Sequence, residues 1–367
     1  MADTEHRRRL SRRSVAAAVL ALPAIASAKP GSPMHPAVTP PKRPLIIAHR
    51  GASGERPEET RAAYDLAIDQ GCDFIEPDLV ATKDGELVCR HENNVAETTD
   101  VAARPEFAAR KTTKMIDGVS LTGWFTEDFT LAELKTLRAR ERLPQLRPAS
   151  AAHDGEEPIL TFAEVCAIAR EGSKRAGRTI GVYPEMKHPT HFAKLGLGLE
   201  QRLLEALKAE GLNSAHAPVF VQCFEIGALA WFRTRSPVRL VQLVSGEGGP
   251  ADKPGVSYAE MTTPAGLKAI SAYADGLGPD KAQVIVAKGS ALIATSLVAD
   301  AHAAGLVVHP WTVRAENLFL PPYLQVGSDP KAHGHVEAVY AALFAAGVDG
   351  LFSDFPGLAA QARAALG

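Results

Sequence analysis

The 367 residues are 46% hydrophobic and 22% charged, enough apolar material for one large core. The length falls in the range of an eightfold barrel with insertions, roughly 200 to 400 residues. A formal net charge of -2 gives no electrostatic reason to expect a nucleic-acid partner.

The chain opens on an expected export signal. Arg7-Arg8-Arg9 and Arg12-Arg13 precede a short apolar stretch, 15–25, that ends in Ala26-Ser27-Ala28 and predicts cleavage after Ala28. Ser11-Arg12-Arg13 fits a twin-arginine signal, although Val15 stands where Phe usually follows and Ala16 where Leu does; ordinary secretion is the alternative. The stretch is too short to span a bilayer, and no Cys follows Ala28 to take a lipid. No other transmembrane candidate exists, so the expectation is a periplasmic or secreted protein, delivered by the export machinery, without a stable membrane anchor. Loss of 1–28 removes five arginines, Asp3 and Glu5, and takes the net charge from -2 to -5. Cys72, Cys89, Cys166 and Cys223 then meet an oxidising compartment, and spacing alone selects none of their possible pairings.

Residues 29–43 are Pro-rich and aperiodic, a disordered lead-in to a folded domain spanning 44–367. From there β-like runs alternate with helical ones. Strands are predicted over 45–48, 73–79, 86–91, 180–185, 219–223, 238–243, 274–278, 306–309 and 350–353, and helices over 57–70, 193–210 and 291–304. Pro57 with Glu58 and Glu59 behind it reads as a helix start. Pro77 is unusual inside a central strand, so the strand is expected to end there. The alternation predicts a parallel α/β fold, and its length favours the closed (β/α)8 TIM-type barrel over an open doubly wound sheet. An insertion over 92–157 interrupts it between early barrel strands. Its Trp124, Phe125 and Phe129 are expected to form a local mini-core, with walling of the pocket as the alternative. A second insertion, 315–332, carries Pro321-Pro322 and would suit a specificity loop.

Chemistry-bearing residues sit at the strand ends. His49-Arg50 follows an apolar run, Glu76-Pro77-Asp78 follows another, His91 comes next, and Glu185 ends a later strand. Imidazoles, a guanidinium and carboxylates together are what metal-assisted phosphodiester cleavage needs. Glu76 and Asp78, two apart on a strand, point to one face, and their mutual repulsion calls for a cation. Glu185 would complete an all-oxygen set suited to Ca²⁺ or Mg²⁺ rather than zinc.

These residues resemble the exported, periplasmic type of the glycerophosphodiester phosphodiesterases, over nearly the whole mature chain. The carriers are Ala48-His49-Arg50-Gly51-Ala52-Ser53-Gly54, Glu76-Pro77-Asp78-Leu79, Thr82-Lys83-Asp84-Gly85 and His91. Glu185-Met186-Lys187, Gln222-Cys223-Phe224, the segments 273–279 and 308–314, and Asp349-Gly350-Leu351-Phe352-Ser353-Asp354-Phe355-Pro356 agree too. The resemblance implies a barrel with a small inserted domain, one divalent metal that is usually Ca²⁺, with Mg²⁺ as the alternative, and release of glycerol 3-phosphate and an alcohol from small-molecule glycerophosphodiesters. It implies that Glu76, Asp78 and Glu185 hold the metal and that His49 and His91 are acid and base in an order left open. One route has the glycerol 2-hydroxyl attack phosphorus to give a cyclic phosphate, and direct attack by water is the alternative. Arg50 is expected to hold a phosphate oxygen. Lys187 would be a second phosphate contact or a partner to Glu185, and Glu58 would orient Arg50. Gln222, Trp311 and Phe352 match positions that line the family's glycerol and headgroup pocket, with core packing the alternative, and His309 could equally be a core histidine. One departure is Glu59, where much of the family carries Asn or His; its charge is expected to face solvent. A lipid-active, phospholipase D-like relative and a surface or binding protein of the same fold are the competing readings. The absence of a basic amphipathic helix weighs against the first, and the intact residue set against the second.

Overall fold

The computed structural model describes residues 40–366; the expected export signal over 1–28, and all but the end of the expected lead-in over 29–43, lie outside the described residues. Eight parallel strand segments ring one axis: Leu45–His49, Phe74–Glu76 continuing as Asp78–Ala81, Gly181–Val182 continuing as Glu185–Met186, Phe220–Cys223, Arg239–Val244, Gly276–Pro279, Val307–Val308 and Gly350–Ser353. Register runs from Ala48 opposite Ile75 through Asp78 opposite Glu185 and Glu185 opposite Gln222, and back to Ala48 opposite Ser353. The ring closes because Asp349 N donates to Val308 O at 3.0 Å, Phe352 N to Pro310 O at 3.0 Å and Val313 N to Phe352 O at 2.9 Å. This is the expected (β/α)8 barrel.

Pro77 does not end its strand, contrary to expectation. It splits it, and the ladder resumes at Asp78, whose N–H donates at 2.8 Å to the Glu59 carboxylate. Pro184 splits the neighbouring strand in the same way, since each proline removes one ladder donor. Other boundaries move for equally local reasons. The first helix is Arg61–Asp69, not 57–70, because Thr60 is its N-cap and accepts from Ala63 N at 3.2 Å. Leu87–Cys89 is no barrel member; it runs antiparallel to Asp78–Ala81. The span predicted as one helix over 193–210 is two, Pro189–Lys194 and Leu199–Ala209, broken near Gly196 at φ +74°. Ala291–Ala294 is a strand hairpinned onto Ile285–Lys288, and only Leu297–Ala303 is helical.

The 92–157 insertion carries the hairpin Thr112–Ile116 and Val119–Gly123, turned by Asp117-Gly118, both at positive φ. Trp124, Phe125 and Phe129 are buried, and Trp124 Nε1 donates to Phe107 O at 2.7 Å, so the mini-core is present. The four cysteines are free and buried.

Inside the barrel, Ile47, Phe74, Tyr183, Phe220, Val241 and Phe352 pack as a separate apolar cluster, with Tyr183 stacked on Phe220 at 4.9 Å. His309 joins it, its Nδ1 2.9 Å from the Tyr183 hydroxyl, and is a core histidine. Burial lowers its pKa from 6.5 to about 4. The folded state thus resists a proton that the unfolded chain accepts, and stability should be full above pH 6.5. It should fall on acidification toward pH 4, by on the order of 3 kcal/mol from this group. Chemical denaturation at pH 7.5 and pH 5 checks this: His309→Leu should flatten the dependence, and an unchanged slope would assign it elsewhere.

Candidate active site

The site is built at the carboxyl ends of the strands. Arg50 leaves the first strand at φ +56°, and this turn aims its backbone N–H at Glu76 Oε2, 2.8 Å away. The turn is held by Ser53 Oγ donating to His49 O at 2.7 Å and Glu59 N donating to Arg50 O at 3.1 Å. Gly51, at φ +84°, has no room for a side chain, because a Cβ would lie 2.7 Å from the backbone of Ala63. The Arg50 guanidinium is thereby buried between Asp78 Oδ2, 2.8 Å from Nε, and Glu58 Oε2, 3.2 Å from Nη1. Burial alone would lower its pKa, but Glu58, Asp78 and Glu76 outweigh that and raise it. Glu58 also accepts from Arg142 Nε at 3.1 Å; although burial opposes ionisation, Arg50 and Arg142 hold its carboxyl at about 2.

Glu76, Asp78 and Glu185 converge, each offering a carboxylate oxygen within 4.8 Å of the others. All three are buried. Burial and the neighbouring carboxylate of Asp78 push Glu76 well above the usual range, and burial lifts Glu185 to about 7. Asp78 moves the other way, because Lys187 and Arg50 outweigh its burial. Lys187 Nζ lies 2.8 Å from Glu185 Oε1 and 3.7 Å from Asp78 Oδ1, a partial countercharge. Both Asp78 oxygens still lack a hydrogen bond. Crowded buried oxygens, two with raised affinity for protons and one with orphaned lone pairs, suit a hard divalent cation. Gln222 Nε2 steadies the set by donating to Glu76 Oε1 at 3.0 Å.

The two histidines flank this cluster. His49 Nδ1 lies 2.6 Å from Asp354 Oδ1, and Asp354 also accepts from Arg147 Nη2 at 2.6 Å and Arg314 Nε at 2.9 Å. Burial works against the ionised Asp354, yet Arg314 and Arg147 hold its pKa well below the usual range. An ionised Asp354 only accepts, so His49 carries its proton on Nδ1 and leaves Nε2 as the basic nitrogen. Burial and Arg50 lower His49 to about 4, so it is neutral at pH 7. His91 stands across the pocket with Nδ1 3.1 Å from Glu92 Oε1, lowered to about 3 by burial and by Arg50 and Lys187. Glu92 in turn meets His188 Nε2 at 2.9 Å, and His188 Nδ1 meets Asp117 of the insertion hairpin at 2.5 Å.

His49, Arg50, Glu76, His91, Glu185, Lys187, Gln222, Trp311 and Phe352 all line one pocket of about 450 Å³, with Phe224 and Leu243. Asp78 and Glu58 stand just behind Arg50. No residue of 315–332 is in that lining; instead Glu316 pairs with Arg147 Nε at 2.7 Å, so this loop braces the support of Asp354. Glu59 does not face solvent as expected. It is fully buried at φ +62°, accepting from Asp78 N and from the Tyr64 hydroxyl, and burial followed by Asp78 raises it to about 8. Asp354, Glu92, His188 and Asp117 were not singled out from the sequence. For Asp354 the signal was present, an acid directly after the last strand.

The model of the Glycerophosphoryl diester phosphodiesterase family matches residues 49–358. The chain is 39% identical to a glycerophosphodiester phosphodiesterase of Arabidopsis thaliana, over 86% of this chain and 84% of that one. It is 30% identical to a glycerophosphodiester phosphodiesterase of Haemophilus influenzae, over 85% and 87%. Among solved structures, a putative glycerophosphoryl diester phosphodiesterase from Silicibacter pomeroyi superposes with a TM-score of 0.64 at 19% identity, over 89% of this chain and 95% of that one. An Oleispira antarctica phosphodiesterase in complex with the product sn-glycerol-3-phosphate superposes with a TM-score of 0.58 at 22% identity, over 87% and 96%. These two likenesses concern the fold.

Proposed function

Because the chain belongs to the glycerophosphodiester phosphodiesterase family, we propose that it hydrolyses small glycerophosphodiesters to sn-glycerol 3-phosphate and an alcohol, using one divalent cation and His49 and His91. The supporting observation is the convergence of three buried carboxylates, two histidines and the Arg50 guanidinium on one pocket. Glu76, Asp78 and Glu185 would hold the cation, Ca²⁺ before Mg²⁺. Bound there, it would neutralise phosphate charge and polarise the P–O bonds. Arg50 and Lys187 add to that charge stabilisation, and Gln222, Trp311 and Phe352 wall the substrate.

His49, held by Asp354 with Nε2 free, removes the proton of the glycerol 2-hydroxyl as it attacks phosphorus. His91, which takes up a proton when the negatively charged phosphodiester settles beside it and offsets Arg50 and Lys187, gives that proton to the leaving alcohol oxygen as its P–O bond breaks. A water then opens the cyclic phosphate, giving its proton to His91 while His49 returns one to the 2-oxygen, and both histidines end as they began. Residues 1–28, read as a twin-arginine signal, would place the enzyme in the periplasm, and a mature amino terminus at Lys29 would check it. No helix among the described residues is long and apolar enough to cross a membrane.

Glycerol 3-phosphate release from glycerophosphocholine should stop with a chelator and return on adding Ca²⁺. Chelator-insensitive release would remove the metal from this reading, and no release with any ion would overturn the proposed reaction.

A further inference from the structure

Beside the pocket lies a second cavity of about 680 Å³ that shares Glu185, Lys187 and Phe224 with it. Its lining carries four carboxylates, Glu92, Asp117, Glu185 and Glu225, against two cations, Lys187 and His188. His188 is charged at neutral pH, raised to about 9 because its hydrogen bonds to Asp117 and Glu92 outweigh burial. Lys187 and Glu185 are spoken for at the phosphate site. The remainder is an acidic chamber whose single cation is already bridged between two acids.

Glu225 is a buried acid of the lining. Both its oxygens accept from Thr190 N at 3.1 Å, and Oε2 also accepts from Thr190 Oγ1 at 2.5 Å. Even so, burial raises its pKa, with Asp252 and Asp117 adding to the rise, so negative charge there is undercompensated. The chamber's apolar wall is aromatic: Phe224 packs edge-on against Tyr258 at 6.1 Å and against Trp311 at 5.8 Å, a strip leading from the first pocket into the second. Tyr258 is 6% exposed and lines the cavity, and its hydroxyl has no hydrogen-bond partner among the described residues. That hydroxyl is not one of the enclosed orphaned atoms; it opens on the cavity, so the ring and its hydroxyl are both presented to whatever enters.

We propose that this cavity receives the alcohol arm of the diester and selects alcohols bearing an ammonium group, with Tyr258 and Phe224 meeting its cationic face and Asp117 and Glu225 supplying the countercharge. This rests on the phosphodiesterase reading. A quaternary or primary ammonium gains from both the charge of the acids and the aromatic faces, whereas a glycerol or inositol arm can only hydrogen-bond the acids and brings no charge to either. The geometry fits the reaction, because Glu92 joins His91 to the cavity wall and so stands His91 at the passage where the departing alcohol oxygen needs its proton. Asp117 comes from the hairpin of the inserted domain, which makes that insertion a specificity element.

The test has two arms. Calorimetry with choline, and with glycerol as control, on the full protein should show saturable choline binding that weakens by about tenfold in Tyr258→Ala, the scale of a desolvated cation–aromatic contact. Choline binding indifferent to Tyr258, or glycerol binding weakened by Tyr258→Ala as much as choline binding, overturns the inference whether or not the protein turns over any diester. In the second arm, kcat/KM for glycerophosphocholine should exceed that for glycerophosphoglycerol. Glu225→Gln, which lies outside the chain that reaches His91 and keeps an oxygen to accept from Thr190, should erase about tenfold of that preference while changing glycerophosphoglycerol turnover by no more than about twofold, as expected for a charge that acts only on a cationic arm. Equal loss on both diesters overturns the proposal while leaving the phosphodiesterase activity standing. Failure to hydrolyse either diester with any ion would instead overturn the activity, and choline binding would still decide the cavity.

Discussion

Replacement of His49 by Ala is expected to leave a folded, cation-binding barrel whose kcat has dropped by on the order of 10² to 10⁴. The expectation comes from how completely this imidazole is committed. Its Nδ1 is taken by Asp354 at 2.6 Å, and Asp354 is itself locked by Arg147 and Arg314. Only Nε2 remains, and it faces the pocket. The ring is small, sits at a strand end and packs edge-on to Phe352 at 6.5 Å, so its loss should disturb the core little. Asp354→Asn should lower kcat in the same direction by leaving His49 in either tautomer. Steady-state kinetics at saturating Ca²⁺, beside circular dichroism of the folded state, check both. Near-normal turnover of His49→Ala would remove His49 from the mechanism.

Replacement of Asp78 by Ala is expected to abolish activity at low Ca²⁺ by weakening cation binding, with partial recovery at high Ca²⁺. Asp78 carries both a proposed ligand role and the Arg50 contact at 2.8 Å, so recovery should stop short of wild type. Glu76→Ala should recover further, since its other tasks are hydrogen bonds from Arg50 N and Gln222 Nε2. Calcium titration by calorimetry separates the cases, and unchanged Ca²⁺ affinity in either variant would void that residue as a ligand.

Much of this architecture was legible in the amino-acid order. Runs such as Leu45–His49 and Gly350–Ser353 stand out because apolar strands alternate with amphipathic helices, and the first-pocket residues sit at the ends of such runs, where register brings them together without further information. Pro77 misled because a strand was expected to stop there. In the barrel, the flanking ladder and a buried acid, Glu59, carry the chain across it. Glu59 itself was misplaced because its inward direction depends on a positive φ, which propensity does not show. The 112–123 hairpin did carry a turn signal in Asp117-Gly118 between alternating residues. Asp354 stood in view as an acid directly after the last strand, but its pairing with His49, like the Asp117–His188–Glu92 chain, was beyond reach because each joins distant elements: one across barrel closure, the other across the inserted domain.

His49 and Asp354 are 305 residues apart in the chain, one at the end of the first strand and the other directly after the last. Leu45 N can satisfy itself on Asp349 O, and Leu45 can pair with Gly350, only when the terminal strand has arrived. The contact that sets the tautomer of the proposed base is therefore among the longest-range in the molecule, and long-range pairings pay their loop-closure entropy late in folding. During synthesis or refolding, helices and early strands can assemble while the barrel remains an open sheet with a misaligned imidazole. Activity should emerge as the final event, and a nascent chain that stalls before residue 354 should carry nearly every group proposed for catalysis and yet turn over no substrate.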